Sequence, residues 1–189
     1  MDIQQTKHQI RVAAGSRLAA IDRFYFIESN KDILYMLLTV PEYKEAKRVF
    51  TYYSISKEVD TRAMIGGALK SGKQVFLPAT FGGGKMEFRE YKEGDELVKG
   101  RLNIPEPREG APVSEPEDGD VLIVPALVYD LEGYRLGYGA GYYDRYLAGC
   151  KGFTIGLCRS RMMMGALPRE EHDIPVKCIV TETKIARPE

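Results

Sequence analysis

The sequence predicts an α/β fold, a three-layer open and mostly parallel sheet with helices on both faces and a small β-hairpin flap. Three observations carry this reading. From about residue 48 onward, short strand-like runs alternate with helix-like ones. Residues 48–54, 61–69 and 74–78 read as strand, helix and strand, a crossover unit that makes its two strands parallel neighbours. Val121-Leu-Ile-Val124 is an uninterrupted apolar run, the pattern of a strand buried on both faces. A chain of 189 residues suits one domain, here 1–189.

Along the chain, Ile10, Ala13, Ala14, Leu18 and Ile21 recur at helical spacing, predicting a helix over 4–21. Lys7 and Arg11 are four apart and so project from one face of it. A second helix is predicted from about Asp32, or earlier, to Leu38, ending before Val40-Pro41. Asp60 or Thr61 suits the cap of the crossover helix, with Gly72 as its stop. Phe81-Gly-Gly-Gly84 followed by the alternating Met86-Glu-Phe-Arg-Glu90 predicts a hairpin or flap over 79–100, added to the main sheet. Four prolines between Asn103 and Asp120 predict a stiff surface loop. Further strands are expected at 153–157 and 177–181, and a helix at 142–147.

Composition narrows the function. Lysine plus arginine equals aspartate plus glutamate, at 27 each, so the net charge is zero. Nothing general favours nucleic acid or an anionic membrane, and anion recognition has to be local. No apolar run approaches the roughly 20 residues that span a bilayer. The polar opening lacks a signal-peptide core, which sets the expectation at a cytoplasmic protein. Cys150, Cys158 and Cys178 form no CxxC pair and are expected as reduced thiols.

The segment richest in chemistry is Arg135-Leu-Gly-Tyr-Gly-Ala-Gly-Tyr-Tyr-Asp144-Arg145. Alternating Gly137, Gly139 and Gly141 let a backbone turn tightly and approach a ligand closely. Successive N–H groups ahead of a helix can cradle phosphate. Arg135 offers a permanently charged planar clamp, and Asp144 a hard oxygen ligand suited to Mg²⁺. The spacing is neither a dinucleotide-binding GxGxxG nor a Walker A loop. By spacing alone, the segment reads equally as a glycine-rich turn with Asp144 capping the next helix.

The longer string Pro125-Ala-Leu-Val-Tyr-Asp130…Gly133-Tyr-Arg135-Leu-Gly-Tyr-Gly-Ala-Gly-Tyr-Tyr-Asp-Arg145 closely resembles the signature of 5-formyltetrahydrofolate cyclo-ligases, also called methenyltetrahydrofolate synthetases. The likeness extends to Lys7-x-x-x-Arg11, Tyr53-Ser54, Glu58-Val-Asp-Thr61, Gly72-Lys73…Leu77-Pro78, Met86-Glu-Phe88, Glu106-Pro107, Leu167-Pro168…His172-Asp173 and Ile179-Val-Thr-Glu182. It implies a NagB/RpiA/CoA-transferase-like fold and the ATP- and Mg²⁺-dependent closure of 5-formyltetrahydrofolate to 5,10-methenyltetrahydrofolate. It assigns Lys7, Arg11 and Arg135 as catalytic cations. ATP would be held by Lys7, Arg11 and the loop Arg135, Leu136, Gly137, Tyr138, Gly139, Ala140, Gly141, Tyr142 and Tyr143. Folate would contact Tyr53, Glu58 and Tyr138, Gly139, Ala140, Gly141 and Tyr142. Mg²⁺ would be bound by Asp144 and Asp173. The partners implied are 5-formyltetrahydrofolate and ATP, with neither nucleic acid nor membrane, in a monomer or weak dimer. The competing expectation is a non-catalytic folate-binding or regulatory relative of the same fold.

Three positions depart from the family pattern. Where members often carry Gly-Leu-Ala-Phe-x-x-Gln, this chain has Gly156-Leu-Cys-Arg-Ser-Arg-Met162. The glutamine contact is expected either to be lost at Met162 or to be taken over by Arg159 or Arg161. Lys177 stands where an acid is common, and Ala140 where some members are basic.

Overall fold

The computed structural model describes residues 2–188. The first third of the chain holds α1 (Ile3–Ala19), α2 (Arg23–Leu37), α3 (Pro41–Glu45), β1 (Arg48–Phe50) and α4 (Arg62–Lys70). Next come β2 (Gln74–Thr80), β3 (Met86–Tyr91), β4 (Leu97–Lys99), β5 (Pro105–Pro107), β6 (Val113–Ser114) and β7 (Val121–Val124). The last third holds β8 (Val128–Asp130), β9 (Arg135–Leu136), α5 (Tyr142–Leu147), β10 (Phe153–Leu157), β11 (Met163–Met164), β12 (Cys178–Val180) and β13 (Ile185–Ala186).

The main sheet runs in the order β13-β12-β10-β7-β1-β2-β3-β6. Its five inner strands, β12 to β2, are parallel; β13 and β3 run antiparallel to them, and β6 pairs antiparallel with β3. The predicted hairpin is β3 folded back on β2, from Val75 against Tyr91 to Thr80 against Met86. Two small sheets, β11-β8-β9 and β4-β5, lie outside the main one.

Alternation along the strands sorts the core into two layers. Val49, Val75, Val121, Ile123, Ile155 and Cys178 pack with α2, α3 and α4. Phe50, Phe76, Leu122, Val124 and Ile179 pack with α1, α5 and the β8–β9 ribbon. The apolar run of β7 is therefore buried on both faces, as its sequence predicts.

Two elements refine the expectation. Helix α2 begins at Arg23, nine residues before Asp32, because the Asp22 carboxylate accepts the Tyr25 N–H at 2.8 Å and caps it. The proline-rich stretch contains two short strands, β5 and β6, which use its extended backbone to flank the hairpin.

The chain's reversal of direction places the site. It runs from β1 outward to β2, then returns to lay β7 on the other side of β1. Ligands in open α/β sheets gather at such a switch point, beyond the carboxyl ends of the strands. Tyr52 and Tyr53 follow β1 there, Pro125 follows β7, and Pro78 and Thr80 end β2.

Candidate active site

At that edge lies a cavity of about 370 Å³. Every residue singled out above for nucleotide, folate or metal lines it, from Lys7 and Arg11 of α1 to Asp173.

One wall is cationic. Lys7 is 5% exposed, and its ammonium donates to Asp173 at 2.7 Å and Glu170 at 2.8 Å. Burial opposes the Lys7 charge, but the two carboxylate hydrogen bonds outweigh it and raise its pKa. Burial likewise pushes the Asp173 carboxyl up. The Lys7 hydrogen bond, the Glu170 N–H and the Lys7 charge together hold it below its ordinary value. One turn later on α1, Arg11 donates to the Gly137 carbonyl at 3.0 Å and so ties the helix to the glycine loop.

The glycine loop joins β9 to α5. Gly139 at φ +98° and Gly141 at φ +67° have left-handed backbones, which a side chain would strain. Gly137 needs no such freedom. Leu136 packs in the apolar core beneath the loop. Arg135 sits under the loop with its side chain 4% exposed. It donates to Asp144 at 2.5 Å and to the Ile174 carbonyl at 2.7 Å, linking α5 to the chain just beyond Asp173.

Asp144 and Asp173 suit a magnesium ion carried in with phosphates. Mg²⁺ usually takes one or two carboxylates and completes its shell with phosphate oxygens and water. Among the described residues no group of three histidine, cysteine or acidic side chains forms a self-sufficient metal site.

Tyr53 and Glu58 line the cavity too, and Tyr138 of the glycine loop reaches Glu58 with its hydroxyl. Ser54 and Thr61 close the neck of the Glu58 loop through two reciprocal bonds, Ser54 N–H to Thr61 Oγ1 at 3.0 Å and Thr61 N–H to Ser54 Oγ at 3.1 Å. Glu58 accepts the Ile55 N–H at 2.8 Å. Burial raises the Glu58 pKa, and the Ile55 N–H and the Tyr138 hydroxyl pull partly the other way.

Several cleft residues escape a sequence reading. Glu170 belongs to the Lys7 cluster, and its only signal is its place beside the His172-Asp173 motif. Met86, Leu102 and Ile104 add an apolar stretch of wall from the hairpin and the loop after it. Arg145 donates to Gly84 at 3.0 Å and Ala140 at 2.7 Å, and Tyr142 donates to Phe81 at 3.2 Å, fastening the hairpin tip to the glycine loop. Conversely, Met162 is 2% exposed in the apolar core and does not line the cleft. Arg161 stacks on Tyr25, 3.9 Å from the ring centre, and Arg159 lies behind Glu58, so neither supplies a direct cleft contact in place of the missing glutamine. No cysteine lines the cavity. Among the described residues no helix is long and apolar enough to cross a membrane.

Comparison with known proteins agrees with this geometry. The model of the 5-formyltetrahydrofolate cyclo-ligase family matches residues 3–182. The 5-formyltetrahydrofolate cyclo-ligase of Escherichia coli strain K12 is 35% identical over 158 residues, covering 79% of this chain and 85% of its own. That of Mus musculus is 28% identical over 193 residues, covering 95% of each. The solved structure of 5,10-methenyltetrahydrofolate synthetase from Aquifex aeolicus superposes with a TM-score of 0.82 at 33% identity, over 99% of this chain and 93% of that one. A cationic cluster, a left-handed glycine loop and a half-buried carboxylate meet in a chain whose residues 3–182 follow one family pattern, and the chain belongs to the 5-formyltetrahydrofolate cyclo-ligase family.

Proposed function

We propose that the cleft joins ATP and 5-formyltetrahydrofolate and yields 5,10-methenyltetrahydrofolate, ADP and phosphate. The observation that carries this reading is the single cavity holding both a cationic, glycine-lined wall and the Glu58 wall. Two substrates can lie side by side there, with phosphates toward Lys7 and Arg11 and the pterin toward Glu58.

The formyl oxygen on N5 is amide-like and leaves poorly as such. In the proposed route it attacks the γ-phosphorus, ADP departs, and an iminium phosphate forms. N10 then adds to the activated carbon, phosphate leaves from that carbon, and the N10 proton passes to solvent. The protein's part is alignment and charge stabilisation. Lys7, Arg11 and Arg135 oppose the phosphate charge, and the loop from Arg135 to Tyr143 offers backbone donors. Asp144 and Asp173 would hold Mg²⁺, which supplies charge neutralisation at the phosphates when bound. Tyr53 and Tyr138 flank the folate, and Glu58 accepts hydrogen bonds from pterin N–H groups. A cysteine nucleophile has no place in this route, in keeping with the cavity lining.

The deciding experiment mixes the protein with Mg²⁺-ATP and 5-formyltetrahydrofolate and follows the methenyl chromophore. Binding of the folate without any chromophore would favour a regulatory relative and sink the enzyme reading. The same assay tests Glu58. Both of its oxygens accept pterin hydrogen bonds only when it is ionised, and its pKa is raised. The acid limb of kcat/KM for the folate is therefore expected above the ordinary glutamate range, with activity rising as pH rises through it. Glu58→Gln should remove that limb and lower kcat/KM. For stability the sign is reversed: a raised carboxyl pKa favours folding at low pH and loses that advantage as pH rises through the folded value. Glu58→Gln should accordingly unfold at no lower temperature than wild type at neutral pH.

A further inference from the structure

Arg159, which departs from the family pattern, is the least explained charge in the molecule. It is 2% exposed and has no carboxylate partner among the described residues. Its guanidinium lies 4.6 Å from the Phe26 ring centre. An always-charged group held this way needs its donors satisfied by dipoles. All four of its hydrogen bonds go to two segments. On α2 it donates to Ser29 Oγ at 3.0 Å and Asn30 Oδ1 at 2.6 Å. On the Glu58 loop it donates to the carbonyls of Lys57 at 2.9 Å and Glu58 at 3.2 Å. Asn30 Oδ1 also accepts the Asp60 N–H at 3.2 Å, so α2 and Arg159 grip the loop on both sides of Glu58.

We propose that Arg159 is a positioning residue for the folate substrate: by fixing the main chain of Lys57 and Glu58 from behind, it keeps the Glu58 carboxylate facing the cleft. This rests on the assignment of Glu58 to the pterin given above. Within the loop, the Ile55 N–H sets the direction of the carboxylate, and Arg159 sets where the loop itself stands. The Lys7 wall shares none of these bonds. The role therefore concerns one substrate and not the other.

Arg159→Met keeps an unbranched apolar stem and removes all four bonds. The expected result is a KM for 5-formyltetrahydrofolate raised at least about tenfold, with the KM for ATP within about twofold of wild type, in line with a lost ground-state interaction. In a Glu58→Gln background the same substitution should add less than about twofold, because the two residues act as one unit. A folded Arg159→Met protein with an unchanged folate KM would overturn the proposal, as would an equal rise for ATP or full additivity with Glu58→Gln. If Arg159→Met does not fold, Asn30→Ala decides. It removes the acceptor shared by Arg159 and Asp60 on a half-buried residue, and an unchanged folate KM there counts against the proposal. A wild-type protein that forms no methenyl chromophore, or a Glu58→Gln protein with unaltered folate KM, would instead remove the premise, and the proposal with it.

Discussion

Replacing Lys7 with methionine is expected to lower kcat/KM for ATP by about 10²- to 10³-fold, the loss typical of deleting one preorganised group that faces developing charge. Steady-state kinetics at saturating folate would measure it; a change under threefold would remove Lys7 from the phosphate site. The effect is large because Lys7 is already fixed. Two carboxylates hold its ammonium, and its helix is tied to the glycine loop through Arg11. The substitution also strips Asp173 and Glu170 of their cation. Burial raises the Asp173 pKa, the Lys7 contacts together with the Glu170 N–H outweigh it, and the net direction is down. For Glu170 the Lys7 hydrogen bond is the leading cause of a lowered value. Lowered carboxyl values contribute stability that is fully present above the ordinary carboxylate range and disappears as pH falls through the lowered values. The stability gap between wild type and Lys7→Met should therefore be widest near neutrality and close in acid, as denaturant unfolding at several pH values would show.

Loss of the Asp144 carboxylate should rank next. Asp144→Ala is expected to lower turnover about 10²-fold and to raise the Mg²⁺ concentration that half-saturates activity, as removal of a charge-stabilising ligand does. The alanine variant also deprives the deeply set Arg135 of its carboxylate, leaving the Ile174 carbonyl as its remaining protein partner. Asp144→Asn separates the two effects. An amide oxygen can still accept from Arg135, so loop geometry is kept while the charge is lost. Both variants should shift the Mg²⁺ dependence, and only the alanine variant should unfold more easily. Unchanged Mg²⁺ dependence in both would release Asp144 from the metal.

The parts of this site legible in the sequence are those written locally. Three alternating glycines, a basic pair four apart and a carboxylate one helical turn into α5 sit within short windows, and resemblance to a known family gave them roles. The parallel core was legible for the same reason, since strand, helix and strand follow one another in order. What escaped depends on partners far along the chain. Glu170 reads as a surface acid until Lys7, 163 positions away, is seen against it. Arg159 reads as a stand-in for the missing glutamine until α2 and the Glu58 loop are seen closed around it. Strands β8, β9 and β11 hold two or three residues each, too few for a period, and exist because they pair with one another. The start of α2 was signalled by Asp22, but the aromatic run that follows hid the helical period.

The bond between Lys7 and Asp173 joins positions 166 residues apart. Closing a loop of that length costs entropy that grows only slowly with its size, so the geometry is affordable once the sheet has formed. The order of assembly is nonetheless constrained. During synthesis α1 emerges ahead of every strand, and its buried lysine must wait, unpaired, through the appearance of four of the five parallel strands. The Glu58 side of the cleft gains its fixed place once Arg159 has emerged, whereas the phosphate side has no existence in a nascent chain that stops short of Asp173. The two halves of one binding site thus have different ages in the life of each molecule.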